Sequence, residues 1–453
     1  MSHAVVLEGV HGHGGRKIAR HQGAVDLCFP LRLVSDNSPL VLSLIRRGRL
    51  AASASGAVVD VLVAGGRIAR VAPHIDASIA IPEVDLDGRW LVPGLVDAHV
   101  HLTGGGGERG FATRVPRLGI GDFARAGVTS VIGLLGTDGV TRTLRDLVAT
   151  AYGLREEGLS AWCYTGSYGV PPPTLTGSVK DDIIFVDPIL GVGELALSDH
   201  RSSQPTLDEL LRVASDAYVA GLTAKKAGIV HLHLGDGPRG LDLVRRALEV
   251  AEIPARVWQP THLNRNPTLW AEAKSLAAAP PSGRLPWFDV TAFPASDLDG
   301  ALSAADAVCD WMASGLPLER LTVSSDGGGC LPSFDADGCM VRMGVGQSTT
   351  LMDTVRELVL ERGVALGEAM QLVSTSPARA AMLERKGRID VGMDADLVVL
   401  DEALQVDAVM AMGAWLVRGA QLTARGRGVF EAPRGTEGSA AGDSSSASNE
   451  ANL

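Results

Sequence analysis

Short apolar runs alternate along most of this chain with longer segments whose apolar residues recur every three or four positions, the patterns of buried strands and of amphipathic helices. Eight runs predict strands, at residues 91–101, 129–136, 160–168, 191–199, 228–236, 256–262, 288–293 and 321–329. Between them, Leu144, Leu147, Val148, Ala151 and Leu154 form one helical stripe, and Leu207, Leu210, Leu211, Ala214 and Tyr218 form another. Thr206, with Glu209 three residues on, is a capping box that opens the second. Eight strand–helix units predict an α/β fold, a (β/α)8 TIM-like barrel over residues 93–385, with its chemistry at the C-terminal strand ends. A doubly wound open sheet is the alternative.

Outside this region the pattern changes. Residues 41–92 hold short β-branched runs with Gly65-Gly66 placed as a hairpin turn, and residues 386–430 hold matching runs at 387–401 and 408–422. The two sets predict a small β-sandwich domain built from the N- and C-terminal segments, with the barrel inserted between them. Residues 1–40 carry four of the eleven histidines at spacings that fit no regular element, and residues 431–453 are rich in Ser, Gly and Ala. A poorly ordered N-terminal extension and a disordered tail are expected there.

Charge and cysteine content narrow the function. The formal net charge of −11 argues against nucleic acid or an anionic membrane as partner. The chain has no apolar run of about 18 residues and no signal-peptide pattern at its start. Its five cysteines are odd in number and contain no CxxC pair, so a disulfide framework is not indicated and a cytoplasmic location is expected.

The stretch PGLVDAHVHL, residues 93–102, carries the first chemistry. His99 and His101 are two apart on a predicted strand, so both imidazoles project to one side at its C-terminal end, which is half a metal site. The other polar residues at predicted strand ends are Tyr168, Glu194, Arg201, His233, His262, Arg265 and Asp326. Four imidazoles and two carboxylates suit a pair of divalent transition ions, zinc before nickel, cobalt or manganese. Such a pair acidifies a shared water and polarises a carbonyl, the chemistry of amide hydrolysis without a protein nucleophile. His231 faces the same way as His233, but His233 lies nearer the strand end and is the expected ligand.

These residues and the motifs around them resemble the isoaspartyl dipeptidases, the metallo β-aspartyl peptidases of the amidohydrolase superfamily. The likeness runs in family order through GGGGE (104–108), GLLGTDG (133–139), TGSYGVP (165–171), TGSV (176–179), SDHRS (198–202), LHLGD (232–236), PTHLNRN (260–266) and SSDGGG (324–329). It implies that His99 and His101 hold the more buried metal and His233 and His262 the more exposed one. Asp326 would ligate the first metal and act as general base and acid toward a metal-bound hydroxide. Tyr168 would hydrogen-bond the scissile carbonyl, Glu108 would receive the substrate ammonium, and Arg201 and Arg265 would hold carboxylates. Gly106, Thr137 and Cys330 would complete the substrate site. A small peptide substrate and a homo-oligomer are implied as well.

Two departures stand out. The family has a lysine, carboxylated to bridge the metals, where this chain has Glu194; a glutamate keeps the charge but reaches roughly 3–4 Å less. It is expected to be a ligand all the same, with two zinc ions per chain or one. Cys330 stands where the family tends to have a serine near the substrate α-carboxylate. Alternatives are an amidohydrolase for another N-acyl amino acid or a cyclic amide, and a metal-depleted, non-catalytic scaffold.

Overall fold

The structure, a computed structural model, describes residues 42–51, 56–294, 300–334 and 340–428. The expected extension at 1–40 and tail at 431–453 lie outside these residues. All eight predicted runs contain a barrel strand: Leu95–Val100, Val128–Gly133, Ser160–Thr165, Ile189–Leu197, Ile229–Leu234, Trp258–Thr261, Phe288–Thr291 and Leu321–Ser324. The first six pair in parallel in chain order, and the last two pair with each other. Backbone bonds close the ring. Trp287 N donates to Trp258 O at 3.0 Å and Leu263 N to Asp289 O at 3.2 Å, while His101 N donates to Gly327 O at 2.8 Å beside a parallel bridge between Val100 and Gly327. The first, second, fourth and fifth strands are buried at every position, as strands are when helices cover one face and packed side chains the other.

Helix Leu144–Glu157 buries all five residues of its predicted stripe. Helix Leu207–Ala224 opens with the Thr206–Glu209 capping box but turns a different face inward. Val213, Ala217, Ala220 and Gly221 join Leu210 and Ala214 in the core, while Leu207, Leu211 and Tyr218 sit half-buried at its margin. Small residues let the helix axis approach the strands closely, so its larger apolar side chains fall to the edges.

Three boundaries differ most from expectation. The run at 91–101 is two strands: Trp90–Pro93 pairs with Leu42–Leu50 and Leu397–Leu400 in another sheet, and the barrel strand begins at Leu95 after Gly94. Leu91 and Val92 are buried, as is every residue of the barrel strand, so the apolar pattern runs across the change of sheet. The run at 321–329 ends as a strand at Ser324, and Cys330–Phe334 and Met340–Val345 form an antiparallel hairpin after it. Of 387–401, only Leu397–Leu400 is a strand.

The terminal segments meet in one nine-stranded sheet. Its Gly65-Gly66 turn has both φ angles positive, at 56° and 76°, as a two-residue type I′ hairpin needs. Ile45, Val61, Ile68 and Leu91 from the first segment share one core with Leu397, Val399 and Met410 from the second. Among the described residues, no helix is long and apolar enough to cross a membrane.

Candidate metal centre

Six side chains converge at the C-terminal ends of the barrel strands: His99 and His101 from the first, Glu194 from the fourth, His233 from the fifth, His262 after the sixth and Asp326 after the eighth. None is more than 6% exposed. Glu194 is the hub. Its Oε1 lies 3.5 Å from His101 Nε2, and its Oε2 lies 3.2 Å from His233 Nδ1 and 3.6 Å from both His99 Nε2 and His262 Nε2. Asp326 Oδ1 lies 3.1 Å from His101 Nε2 and 3.4 Å from His99 Nε2. Donors about 2.0–2.1 Å from a tetrahedral ion stand roughly 3.3–3.5 Å apart, so these spacings suit ligands of shared ions.

The polar atoms support the same fit. His99 Nε2 and Asp326 Oδ1 are buried and have no hydrogen-bond partner, a costly state unless something else binds them. Three overlapping triads can each hold an ion: His99, His101 and Glu194; Glu194, His233 and His262; and His99, His262 and Asp326. Burial opposes the charge of Glu194, but His99, His233 and His262 outweigh it and hold the carboxyl well below its usual range. For Asp326, His101 and His99 likewise overcome burial. His99 is the counterpart: burial disfavours its proton, yet the two carboxylates pull it up to about 9. Binding of a divalent cation displaces such a proton.

Local backbone aims these groups. Across the fourth and fifth strands Val192 faces Val230 and Leu195 faces Leu232, three steps against two. The extra residue is a bulge at Gly193–Glu194, a device that re-aims a side chain beside an active site. A Cβ on Gly193 would lie 2.7 Å from His231 Cβ, so only glycine fits there. His262 and Asp326 end their strands in the left-handed region, at φ 61° and 51°. A Cβ on Gly329 would fall 2.1 Å from Asp326 Oδ1, which explains the small residues after SSD.

Behind the cluster lie buried contacts that the sequence reading did not pair, one of them made by His231, which that reading set aside as a ligand. His231 Nε2 lies 2.8 Å from His99 Nδ1, and Thr291 Oγ1 lies 2.7 Å from His262 Nδ1. Asp199 Oδ2 is 3.0 Å from His233 Nε2. Asp97 accepts from Ser325 N at 3.1 Å, from the Ser325 hydroxyl and from Ser348 Oγ at 3.2 Å, fixing the backbone just before Asp326. Alternation marks Asp97 and His231 as facing the same side as the ligands, but nothing in the sequence pairs them with partners on distant strands.

The remaining expected residues line the mouth. The Tyr168 hydroxyl is 2.9 Å from His233 Nδ1, and burial pushes its phenol well above the ordinary value, so it keeps its proton. Arg201 makes a two-pronged pair with Asp199, Nε to Oδ1 at 2.9 Å and Nη2 to Oδ2 at 2.8 Å. This is a buried pair rather than a surface one. Its Nη1 stands 3.8 Å from Glu108 Oε1, which also accepts from Thr137 Oγ1 at 3.2 Å. Glu108 Oε2 is buried without a hydrogen-bond partner. Cys330 lies near Glu108; burial first, and that carboxylate next, push its thiol up to about 12. Gly106 bridges Arg114 within a loop clamped by Arg142, which donates to the carbonyls of Thr103, of Gly105 at 2.8 Å and of Val115 at 2.9 Å. Arg265 acts on Tyr168 through its charge, while its Nε donates to Asp236 Oδ2 at 2.8 Å.

An eight-stranded barrel with this donor set at its C-terminal end defines a metallo-hydrolase of the amidohydrolase class. The amidohydrolase family profile matches residues 333–414. The β-aspartyl dipeptidase of Fervidobacterium islandicum AW-1, solved in complex with β-Asp-Leu, is 39% identical, covers 85% of this chain and 98% of its own, and superposes with a TM-score of 0.79. A D-hydantoinase structure shares the fold at 19% identity, covering 84% of this chain and 96% of its own, with a TM-score of 0.58. In sequence, the imidazolonepropionase of Stenotrophomonas maltophilia is 24% identical over 77% of this chain and 87% of its own. The chain belongs to the β-aspartyl dipeptidase family of the amidohydrolase superfamily.

Proposed function

We propose that this chain hydrolyses the isopeptide bond of β-aspartyl dipeptides in a zinc-dependent reaction. The observation that carries the reading is the donor cluster lying under a mouth where Glu108 and Arg201 stand 3.8 Å apart. A β-aspartyl dipeptide presents one ammonium and two carboxylates around its scissile amide, matching one acid and the bases Arg201 and Arg265. The likeness to an enzyme solved with β-Asp-Leu supports the same choice.

His99, His101, Glu194, His233, His262 and Asp326 would hold two ions, with Glu194 between them. Bound zinc supplies an acidified water and a polarised carbonyl. Asp326, kept ionised by its imidazole neighbours, takes the proton of the attacking water and passes it to the leaving amine as the carbon–nitrogen bond breaks. Tyr168, kept protonated, donates to the carbonyl oxygen as charge develops there. Glu108 receives the ammonium, Arg201 and Arg265 hold carboxylates through planar guanidinium groups, and Gly106, Thr137 and Cys330 border the substrate. Homo-oligomerisation, as the family resemblance implies, is measurable by light scattering.

The test is release of aspartate from β-Asp-Leu by zinc-loaded protein, with α-Asp-Leu alongside. Turnover of the β isomer alone is expected. Folded, zinc-loaded protein that leaves β-Asp-Leu intact would sink the reading, and the likeness to an imidazolonepropionase makes cyclic amides the next substrates to assay.

A further inference from the structure

We propose that His231 and Gln259 are positioning residues that fix which nitrogen of His99 offers its lone pair to a metal ion. The inference rests on the metal reading of the cluster above. His231 sits one inward position below His233 on the fifth strand and is fully buried, with its Nε2 2.8 Å from His99 Nδ1. Its Nδ1 lies 3.3 Å from Oε1 of Gln259, itself fully buried on the sixth strand. The Tyr164 ring stacks on the imidazole at a centroid distance of 5.2 Å and an angle of 23°, which fixes the plane of the ring. On another side His231 packs against the bulge, where Gly193 has room only because it lacks a Cβ. One side chain thus touches both His99 and the strand that carries Glu194.

The chemistry of the chain of contacts gives it a direction. An amide oxygen only accepts, so the hydrogen between His231 and Gln259 belongs to His231 Nδ1. A neutral imidazole then has its lone pair on Nε2, which accepts from His99 Nδ1. With Nδ1–H committed to His231, the proton that an entering ion displaces from His99 is the one on Nε2, the buried atom without a hydrogen-bond partner, 3.4 Å from Asp326 Oδ1 and 3.6 Å from Glu194 Oε2. With a donor in place of the Gln259 oxygen, the hydrogens would run the other way and His99, even when neutral, would keep one on Nε2. The group that decides this is two hydrogen bonds from the ligand.

The experiment measures zinc affinity of the full chain by chelator competition and zinc content by mass spectrometry, with visible absorption of the cobalt-substituted protein as a second readout. His231→Phe keeps an aromatic ring under Tyr164 but cannot accept from His99, and is expected to weaken zinc binding about 10–100-fold. Gln259→Met acts only through His231 and should weaken it in the same direction. Gln259→Glu keeps an acceptor with no hydrogen to donate, and should retain wild-type affinity and the wild-type cobalt spectrum. A purely structural role predicts the opposite for Gln259→Glu, since it buries a new charge. If His231→Phe does not fold, the Gln259 pair decides. Zinc binding within twofold of wild type by folded His231→Phe or Gln259→Met overturns the proposal, as does loss of affinity in Gln259→Glu equal to that in Gln259→Met. A wild-type chain that retains no zinc overturns it together with the metal reading; tight binding by wild type and variants alike overturns it alone.

Discussion

Replacing Glu194 with Asp tests whether one carboxylate serves both sides of the cluster. The glutamate oxygens lie 3.2–3.6 Å from imidazole nitrogens on three strands. Removing one methylene withdraws the carboxylate toward the fourth strand by roughly 1.5 Å, the length of one carbon–carbon bond. Added to the present spacings, that gives about 4.7–5.1 Å. Two donors each about 2.1 Å from one ion cannot stand more than about 4.2 Å apart, so the shortened side chain cannot reach both groups. It can tilt to satisfy one. Zinc content after dialysis is therefore expected to fall from two ions per chain to one, with the affinity of the lost ion down at least a hundredfold, about 2.7 kcal/mol. Mass spectrometry for zinc together with circular dichroism reads both metal and fold. A folded Glu194→Asp protein that keeps two zinc ions would refute the geometric argument.

Further outcomes follow from the same structure. Added bicarbonate should leave turnover in carbon-dioxide-free buffer unchanged, because Glu194 needs no carboxylation; a bicarbonate-dependent gain would count against its role. Glu108→Gln should raise KM for β-Asp-Leu about tenfold or more while zinc content stays constant, the loss expected of one charge-assisted hydrogen bond; an unchanged KM would remove Glu108 from the substrate site. With its thiol at about 12 against an ordinary 9.0, Cys330 should alkylate about a thousandfold more slowly than a free thiol at pH 8, and faster as pH rises toward 12, read by peptide mass spectrometry; an ordinary rate would contradict its burial beside Glu108. Lys386→Met leaves Asp396, now 2.6 Å from the ammonium, as a buried charge without its ion-pair partner, and leaves Asp394, now 3.0 Å away, to Arg385 alone. A loss of about 3–5 kcal/mol is expected in urea unfolding, and a change under 1 kcal/mol would argue against the pairing.

The barrel was legible because each buried strand is an apolar run bounded by turn residues, and the strand ends could be ranked by the polar residues they carry. His99 and His101 were legible for a simpler reason, the two-residue period of a strand. What could not be read was register. Glu194 reaches His101 and His262 only because a bulge at Gly193 re-aims it, and no spacing in GVGELALSD announces one. The contacts of Asp199 with His233 and of Asp97 with Ser348 join residues 34 and 251 positions apart, which alternation alone cannot pair. Gly94 hid a change of sheet for the opposite reason: the pattern is the same on both sides of it. Arg265 shows a different limit, since the motif that singled it out says nothing of Asp236, which holds it.

Trp90–Pro93 lies between Leu42–Leu50, made shortly before it, and Leu397–Leu400, made about 300 residues later. At about 5–20 residues per second, a ribosome takes roughly 15–60 s to supply that second neighbour. During that interval Trp90, Leu91 and Val92 present an apolar strand edge with unpaired backbone groups, the surface that recruits stray strands. Soluble yield should therefore depend on synthesis rate and on chaperones that cover this edge, even though the finished sheet pairs it on both sides.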